Sequence, residues 1–264
     1  MSDVLTDLTA ETEDLDRIVS SLSHDEWEVL TPSPRWAIRD QIGHLTYFDR
    51  TAALAILDPD AFQQHASELF SGDYSDEAAM DAATLSEFRA MGPSELLSFW
   101  RKGRTDLAEA AEMLGEGSRV EWYGPSMAAK SFLTARLMEA WAHGQDIADA
   151  AGVVRQPTDR IRHIAQLGVI TRGWSYIVRG RVPPETDVAV VLDAPDGSVW
   201  TWGDSNLPDR ISGPAQDFCL VVTQRRHIDD TAVTASGGVA REWMEQAQAF
   251  AGGPTSGPAP SPPD

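Results

Sequence analysis

Arg136-Leu137-Met138-Glu139-Ala140-Trp141-Ala142-His143 is the stretch on which the reading of this chain turns. A spacing of four puts the Glu139 carboxylate and the His143 imidazole on one face of a helix, one turn apart, where both reach a single point. On an exposed helix such a pair is a surface ion pair. Here Phe132, Leu133, Leu137, Trp141 and Ile147 surround it with apolar residues, and a buried charge needs a partner, which a metal ion would supply. Far upstream, Asp40-Gln41-Ile42-Gly43-His44-Leu45 offers His44 as a third ligand on another apolar helix. Two histidines and one carboxylate, with no fourth protein ligand evident, leave a coordination position open. That is the pattern of a catalytic site for zinc or another divalent transition metal, since structural zinc is usually closed by four protein ligands.

Outward from this pair, the chain divides into helical and mixed halves. Val4, Leu8, Leu15, Ile18, Val19 and Leu22 recur at helical spacing and predict a first amphipathic helix. Pro32 and Pro34 break the chain, and a second helix begins near Trp36, carrying Ile38, Ile42, His44, Leu45 and Phe48. Residues 58–92 are acidic, contain Gly72 and Gly92, and read as a connection with small helices. The helical period returns over 95–114. A loop over 115–125 holds Trp122 and Tyr123; Ser126 then caps the helix bearing Glu139 and His143, and Gly152 ends it. Four long amphipathic helices with inward ligands predict a bundle with its site in the core, over residues 1–154.

After Val153-Val154-Arg155-Gln156-Pro157 the pattern becomes α+β, over residues 155–252. It predicts a helix over 158–179, a hairpin of Val188, Val190 and Leu192 with 199–202 about an Asp196-Gly197 turn, a buried strand over 217–223, a short strand at 232–234 and a closing helix over 239–250. The fold class is therefore α plus α+β. Residues 253–264, rich in Gly, Pro and Ser without an apolar period, read as a disordered tail.

A net charge of -20 and a pI near 4.5 disfavour nucleic acid and anionic membranes as partners, because either needs a concentrated basic surface. The amino terminus has neither the basic segment nor the apolar run of a signal peptide, and no stretch is long and apolar enough to span a bilayer, so a cytoplasmic location is expected. The lone Cys219 excludes an internal disulfide framework, and its neighbours Phe218, Leu220 and Val221 place it in the core. His65 and His163 read as solvated or packing residues, and His24 sits at the end of the first helix. Asp146 is either an acceptor orienting His143 or part of a solvated helix end. Asp40 is equally explained by the dipole of a helix start. Arg136 either faces the site or pairs with Glu139. In Val221-Val222-Thr223-Gln224-Arg225-Arg226-His227, two arginines close an apolar strand, where one could bind a substrate carboxylate in a two-pronged geometry.

The segments 36–45 and 136–150 resemble the mycothiol-dependent maleylpyruvate isomerase family of the DinB-like superfamily, and more narrowly an actinobacterial metal-binding subgroup that pairs a DinB-like bundle with a domain similar to sterol carrier protein 2. The resemblance implies that His44, Glu139 and His143 are zinc ligands. It implies a low-molecular-weight thiol such as mycothiol as cosubstrate, and Arg225 as the second-domain arginine that acts on the substrate. Family members usually carry Gly-Arg there, whereas this chain has Gln224-Arg225-Arg226; the usual Ser or Thr cap after the tryptophan is Ala37, which should weaken that helix start by about 1 kcal/mol. The expectation is a zinc-dependent isomerase or transferase acting on a small unsaturated acid, with Trp122 and Tyr123 in the pocket wall. The alternatives are a hydrolase using metal-activated water on the same ligands and a non-catalytic small-molecule or lipid-binding protein with a structural metal.

Overall fold

The apolar positions at the amino terminus gather on one side of α1 (Ser2–Ser20), where Val4, Leu8, Leu15 and Val19 are buried. The computed structural model describes residues 2–72 and 76–262 and falls into two compact units, Met1–Arg155 and Gln156–Asp264. In the first, α2 (Ile38–Leu57), α3 (Pro59–Phe70), α4 (Glu77–Arg89) and α5 (Pro93–Glu112) lead to a ribbon of β1 (Arg119–Val120) and β2 (Met127–Ala128), then to α6 (Ala129–Ala151). The long helices are α1, α2, α5 and α6; α2 packs on α5 and α6, and α1 on α6. Residues 73–75, inside the expected connection, lie outside the described residues.

Local chemistry sets the helix ends. Asp58 accepts the Ala61 N–H at 3.0 Å ahead of Pro59, whose fixed φ suits a first helical position. Ala37 provides no side-chain cap for α2, but Asp40 accepts the Ala37 N–H at 2.9 Å and the Arg89 Nε–H at 2.7 Å, so Asp40 belongs to the helix start. Ser126 does not cap α6. Its hydroxyl accepts from Arg119 Nε at 2.9 Å instead, because the ribbon intervenes and α6 begins at Ala129. Gly152, at φ 66°, ends α6. Two apolar clusters fill the unit. Leu137 and Ala140 of α6 join Phe62, Leu107 and Phe132 in one, while Ile147 joins Leu15, Ile42, Leu45 and Trp100 in the other, so Glu139 and His143 lie where the two meet.

In the second unit, α7 (Ile161–Ile170) and α8 (Arg172–Ile177) replace the single helix expected over 158–179. The break falls at Thr171, whose hydroxyl donates to Leu167 O at 2.7 Å, a contact that bends helices. β3 (Ala189–Asp193) and β4 (Val199–Trp202) form the hairpin, and β5 (Arg210–Pro214) lies parallel to β3 on its other edge. Then α9 (Ala215–Val222), β6 (Thr234–Ser236) and α10 (Gly238–Gln246) complete a four-stranded sheet of order β4-β3-β5-β6 with its helices. The expected strand over 217–223 is thus a helix. It packs against α7 on one side and β3 and β5 on the other, so Phe218 to Val222 are all buried and no period marks the helix. β5 went unforeseen because Gly213 and Pro214 read as strand breakers. Gly213 is needed there, for at φ 139° a Cβ would lie 2.7 Å from Ala232 O.

A Schellman turn closes α9: Arg225 N–H donates to Leu220 O at 2.7 Å and Gln224 N–H to Val221 O at 3.0 Å. Gln224 occupies the left-handed position at φ 59°. Its amide holds it there, donating to Ala247 O at 2.9 Å and Thr255 O at 3.2 Å. Residues 252–262 are exposed and without regular structure, yet Ser261 N–H reaches Asp230 at 3.0 Å. Residues 263 and 264, the end of the expected disordered tail, lie outside the described residues.

Gly168 sets how closely α7 and α9 approach, since a Cβ there would meet Val222 Cγ2 at 2.9 Å and Phe218 Cε1 at 3.0 Å. Gly168→Ala is expected to cost about 1–3 kcal/mol in urea unfolding, as overpacked cores do. Gly124→Ala, with nothing within 4 Å, should stay within about 0.5 kcal/mol of wild type.

Candidate metal centre

His44 projects from α2, and Glu139 and His143 project from α6. One ligand-capable atom from each lies within 4.8 Å of the others. Glu139 Oε2 is 3.0 Å from His143 Nε2 and 3.5 Å from His44 Nε2. A tetrahedral shell with bonds of roughly 2.0–2.1 Å separates its ligands by about 3.4 Å, so these separations suit one small ion. His143 is buried, while the side chains of His44 and Glu139 keep 18% and 24% exposure, leaving the cluster open on one side.

A relay of hydrogen bonds fixes the His143 tautomer. The Thr31 hydroxyl donates to Trp36 O at 2.9 Å, so its oxygen accepts from Gln41 Nε2 at 2.8 Å. The amide orientation of Gln41 is thereby set, and its Oε1, 2.5 Å from His143 Nδ1, accepts that N–H. The unprotonated Nε2 of His143 then faces the Glu139 carboxylate, two lone-pair-bearing atoms at 3.0 Å. Only a cation between them, a metal ion or a proton, makes that contact favourable. Burial first, then the neighbouring His143, pushes His44 down to about 4, so at neutral pH its imidazole also offers a lone pair. Burial works to raise Glu139, but when either imidazole carries the proton between it and the carboxylate, the hydrogen bond and charge outweigh burial and hold the carboxyl well below the usual range. The donor set fits a divalent transition metal.

Gln41 carried no signal in the sequence, since an amide resembles neither a ligand nor an acid. Asp146 stands one step further out, 4.0 Å from His143 Nδ1, and accepts from Ser33 Oγ at 3.0 Å and Gln41 Nε2 at 3.5 Å. Aromatic rings frame the imidazoles. Trp36 stacks on His143 at 5.9 Å between centroids and leans on His44 at 5.0 Å, its indole N–H donating to Asp81 at 3.0 Å. Phe48 covers the other side of His44 at 4.6 Å. Trp122 and Tyr123 pack behind Phe48 at 6.2 and 5.8 Å, and burial pushes the Tyr123 hydroxyl up.

The remaining candidates are dispersed. His65 on α3 meets Tyr47 Oη at 2.9 Å, and His24 precedes a short 3-10 turn, Asp25–Glu28. His163 lies on α7, in the second unit. Arg136 pairs not with Glu139 but with Asp49 of α2, at 3.5 Å. Arg225 and Arg226 follow a helix, not a strand, so the alternation of strand faces gives no ground for choosing between them. Arg225 Nη1 donates to Thr223 O at 2.7 Å, and Arg226 Nη1 to Arg225 O at 2.8 Å.

A helical bundle with a two-histidine, one-carboxylate cluster in its core, followed by a small α+β unit, defines the class of this protein. The chain belongs to the mycothiol maleylpyruvate isomerase N-terminal domain family, whose sequence model matches residues 8–148. Uncharacterized proteins from two strains of Mycobacterium tuberculosis, CDC 1551 / Oshkosh and ATCC 25618 / H37Rv, are each 45% identical to it over 255 residues, 96% of this chain and 97% of their own length. Crystal structures of the mycothiol-dependent maleylpyruvate isomerase and of a histidine-to-alanine mutant share the fold, with TM-scores of 0.58 and 0.60, at 17% identity over 89% of this chain and 92% of theirs. No helix among the described residues is long and apolar enough to cross a membrane.

Burial raises the Asp49 carboxyl to about 6 even though Arg136 and Arg104 lie close. A carboxyl raised on folding contributes stability that is complete below its unfolded value, near 3.8, and lost as pH rises through 6. Relative to the non-titrating Asp49→Asn, the wild-type protein should therefore lose about 2–3 kcal/mol of unfolding free energy between pH 4 and pH 7. A pH-independent difference between the two in chemical denaturation would show that Asp49 has no raised carboxyl.

Proposed function

We propose that this protein is a metal-dependent enzyme that uses a low-molecular-weight thiol, mycothiol being the first candidate, either to isomerise a small electrophilic unsaturated acid or to transfer the thiol to it. The observation that carries the reading is the convergence of His44, Glu139 and His143, with three donors and an open side, in a bundle of this family. Support for the thiol comes from the family and from the fold shared with a mycothiol-dependent isomerase. In this reading the three residues hold a divalent ion, most simply zinc, and Arg225 of the second unit, which we read as sterol-carrier-like, receives a substrate carboxylate.

A bound dication supplies Lewis acidity, which lowers the pKa of a nearby thiol so that the thiolate exists near neutral pH. The chain's own residues prepare for this. His44 is neutral, Glu139 is ionised, and Gln41 keeps the His143 Nδ1 proton away from the cluster. Trp36 and Phe48 shut water from the sides of the imidazoles. The thiolate sulfur forms a bond to one alkene carbon of the acid, and the electron pair moves toward its carbonyl. Rotation about the resulting single bond and loss of the thiolate gives the geometric isomer; protonation of the adduct gives thiol transfer.

About one divalent ion per chain is expected in elemental analysis, with His44→Ala, Glu139→Ala and His143→Ala each losing most of it. Gln41→Ala should keep the ligands yet weaken zinc binding roughly 10–100-fold, as loss of a group orienting a metal-bound histidine does. Equal metal in the wild type and all four variants would refute the site.

The reaction itself is tested by incubating zinc-loaded protein with cis-unsaturated oxo acids, with and without mycothiol. Turnover that needs both thiol and metal is expected, and Arg225→Ala should lower it without changing metal content. Turnover independent of thiol, with water incorporated into the product, would replace this reading by metal-assisted hydrolysis.

A further inference from the structure

Arg136 is a buried charged group with two unsatisfied donor nitrogens. It is 5% exposed, and its Nε and Nη2 make no hydrogen bond. Its ion pair with Asp49, Nη2 to Oδ1, spans 3.5 Å, beyond the range of a charge-assisted hydrogen bond. Two other arginines of the unit are matched closely: Arg89 donates to Asp40 at 2.7 Å, and Arg101 to Asp16 at 2.8 Å. A buried guanidinium with idle donors is rare enough to require an explanation.

Its position supplies one. Arg136 precedes Glu139 by one turn of α6 and so shares a face with it. The Phe48 ring links it to the metal ligands, lying 4.6 Å from the His44 ring and 5.7 Å from the Arg136 guanidinium carbon. Asp49 is a poor counterion, because burial opposes its ionisation and Arg104 also draws on its charge. A dication on His44, Glu139 and His143 would draw on the charge of Glu139, one turn along the same helix, and leave Arg136 in excess.

We propose that the Arg136 guanidinium is an anion-binding group of the bundle, receiving the carboxylate of a small organic acid beside the His44, Glu139 and His143 cluster. The planar fork of an arginine matches the two oxygens of a carboxylate, and exchanging a distant, reluctant Asp49 for a ligand carboxylate satisfies donors that the folded chain leaves idle. The inference rests on the reading of the substrate as an acid.

The test is calorimetric binding of maleate to zinc-loaded protein, for the wild type, Arg136→Lys and the double variant Asp49→Asn/Arg136→Met, with zinc content and thermal unfolding measured on each. The double variant removes both charges together, so no buried ion is stranded. Wild-type protein should bind maleate; the double variant should retain zinc and lose at least about tenfold in affinity. Arg136→Lys, keeping the charge but not the fork, should fall between. Absence of maleate binding by the wild type, or equal affinity in the zinc-loaded double variant, overturns the proposal. Should the double variant fail to fold, Arg136→Lys decides: unchanged affinity overturns, weakened affinity supports. Maleate binding that depends on Arg136 in a protein without thiol-dependent turnover would keep the anion site and reject the catalytic reading; thiol-dependent turnover with Arg136-independent binding would do the reverse.

Discussion

The contact on which this site depends is the 3.0 Å approach of His143 Nε2 to the Glu139 carboxylate. Thr31, Gln41 and His143 form a directional relay that begins at the Trp36 carbonyl and ends by placing the imidazole proton on Nδ1. What remains on the other nitrogen is a lone pair aimed at a carboxylate. The relay therefore builds a demand for a cation into the folded chain, and the neutral imidazole of His44 faces the same point. Buried polar networks of this kind are costly when incomplete and rigid when complete. In the function proposed here, the completing group is a metal ion held by His44, Glu139 and His143.

Charge elsewhere in the bundle serves the same geometry. Asp16 gathers Arg101 and Arg104 from α5 onto α1, and Asp40 ties the start of α2 to Arg89 at the end of α4. Asp49 and Arg136 face each other across α2 and α6, the two helices that carry His44, Glu139 and His143. A pair with so long a separation and so reluctant a carboxyl adds little stability, because desolvation of buried ions offsets most of their attraction. Its place beside the cluster is better accounted for by a ligand than by the fold.

The second unit shows how a side chain holds a strained turn. Gln224 stands in the left-handed turn that ends α9, a conformation glycine adopts without strain and other residues adopt at a cost of about 1 kcal/mol. Hydrogen bonds from its side-chain amide to Ala247 O and Thr255 O hold the turn and bring the otherwise irregular carboxy-terminal segment back against it. The adjoining Arg225 and Arg226 thus sit in a capped, tethered turn.

The amino-acid sequence by itself determined the helical spacing that places Glu139 and His143 on one face, the apolar stripes of α1, α2, α5 and α6, the change of character near residue 155, and the β3–β4 hairpin. These follow from periodicity and turn chemistry, which act over a few residues and survive in one dimension. Tertiary structure alone decided the rest. Whether 217–223 was strand or helix depended on α7 covering one side and the sheet the other, because a segment buried all round carries no period. β5 exists because Gly213 lets the chain pass against Ala232. Gln41 and His143 are separated by 102 residues and Arg136 and Asp49 by 87, so the tautomer of His143 and the long pairing of a buried arginine were settled only when α2 and α6 packed together. Electrostatic roles depend on distances through space, and distances through space are what a linear pattern does not contain.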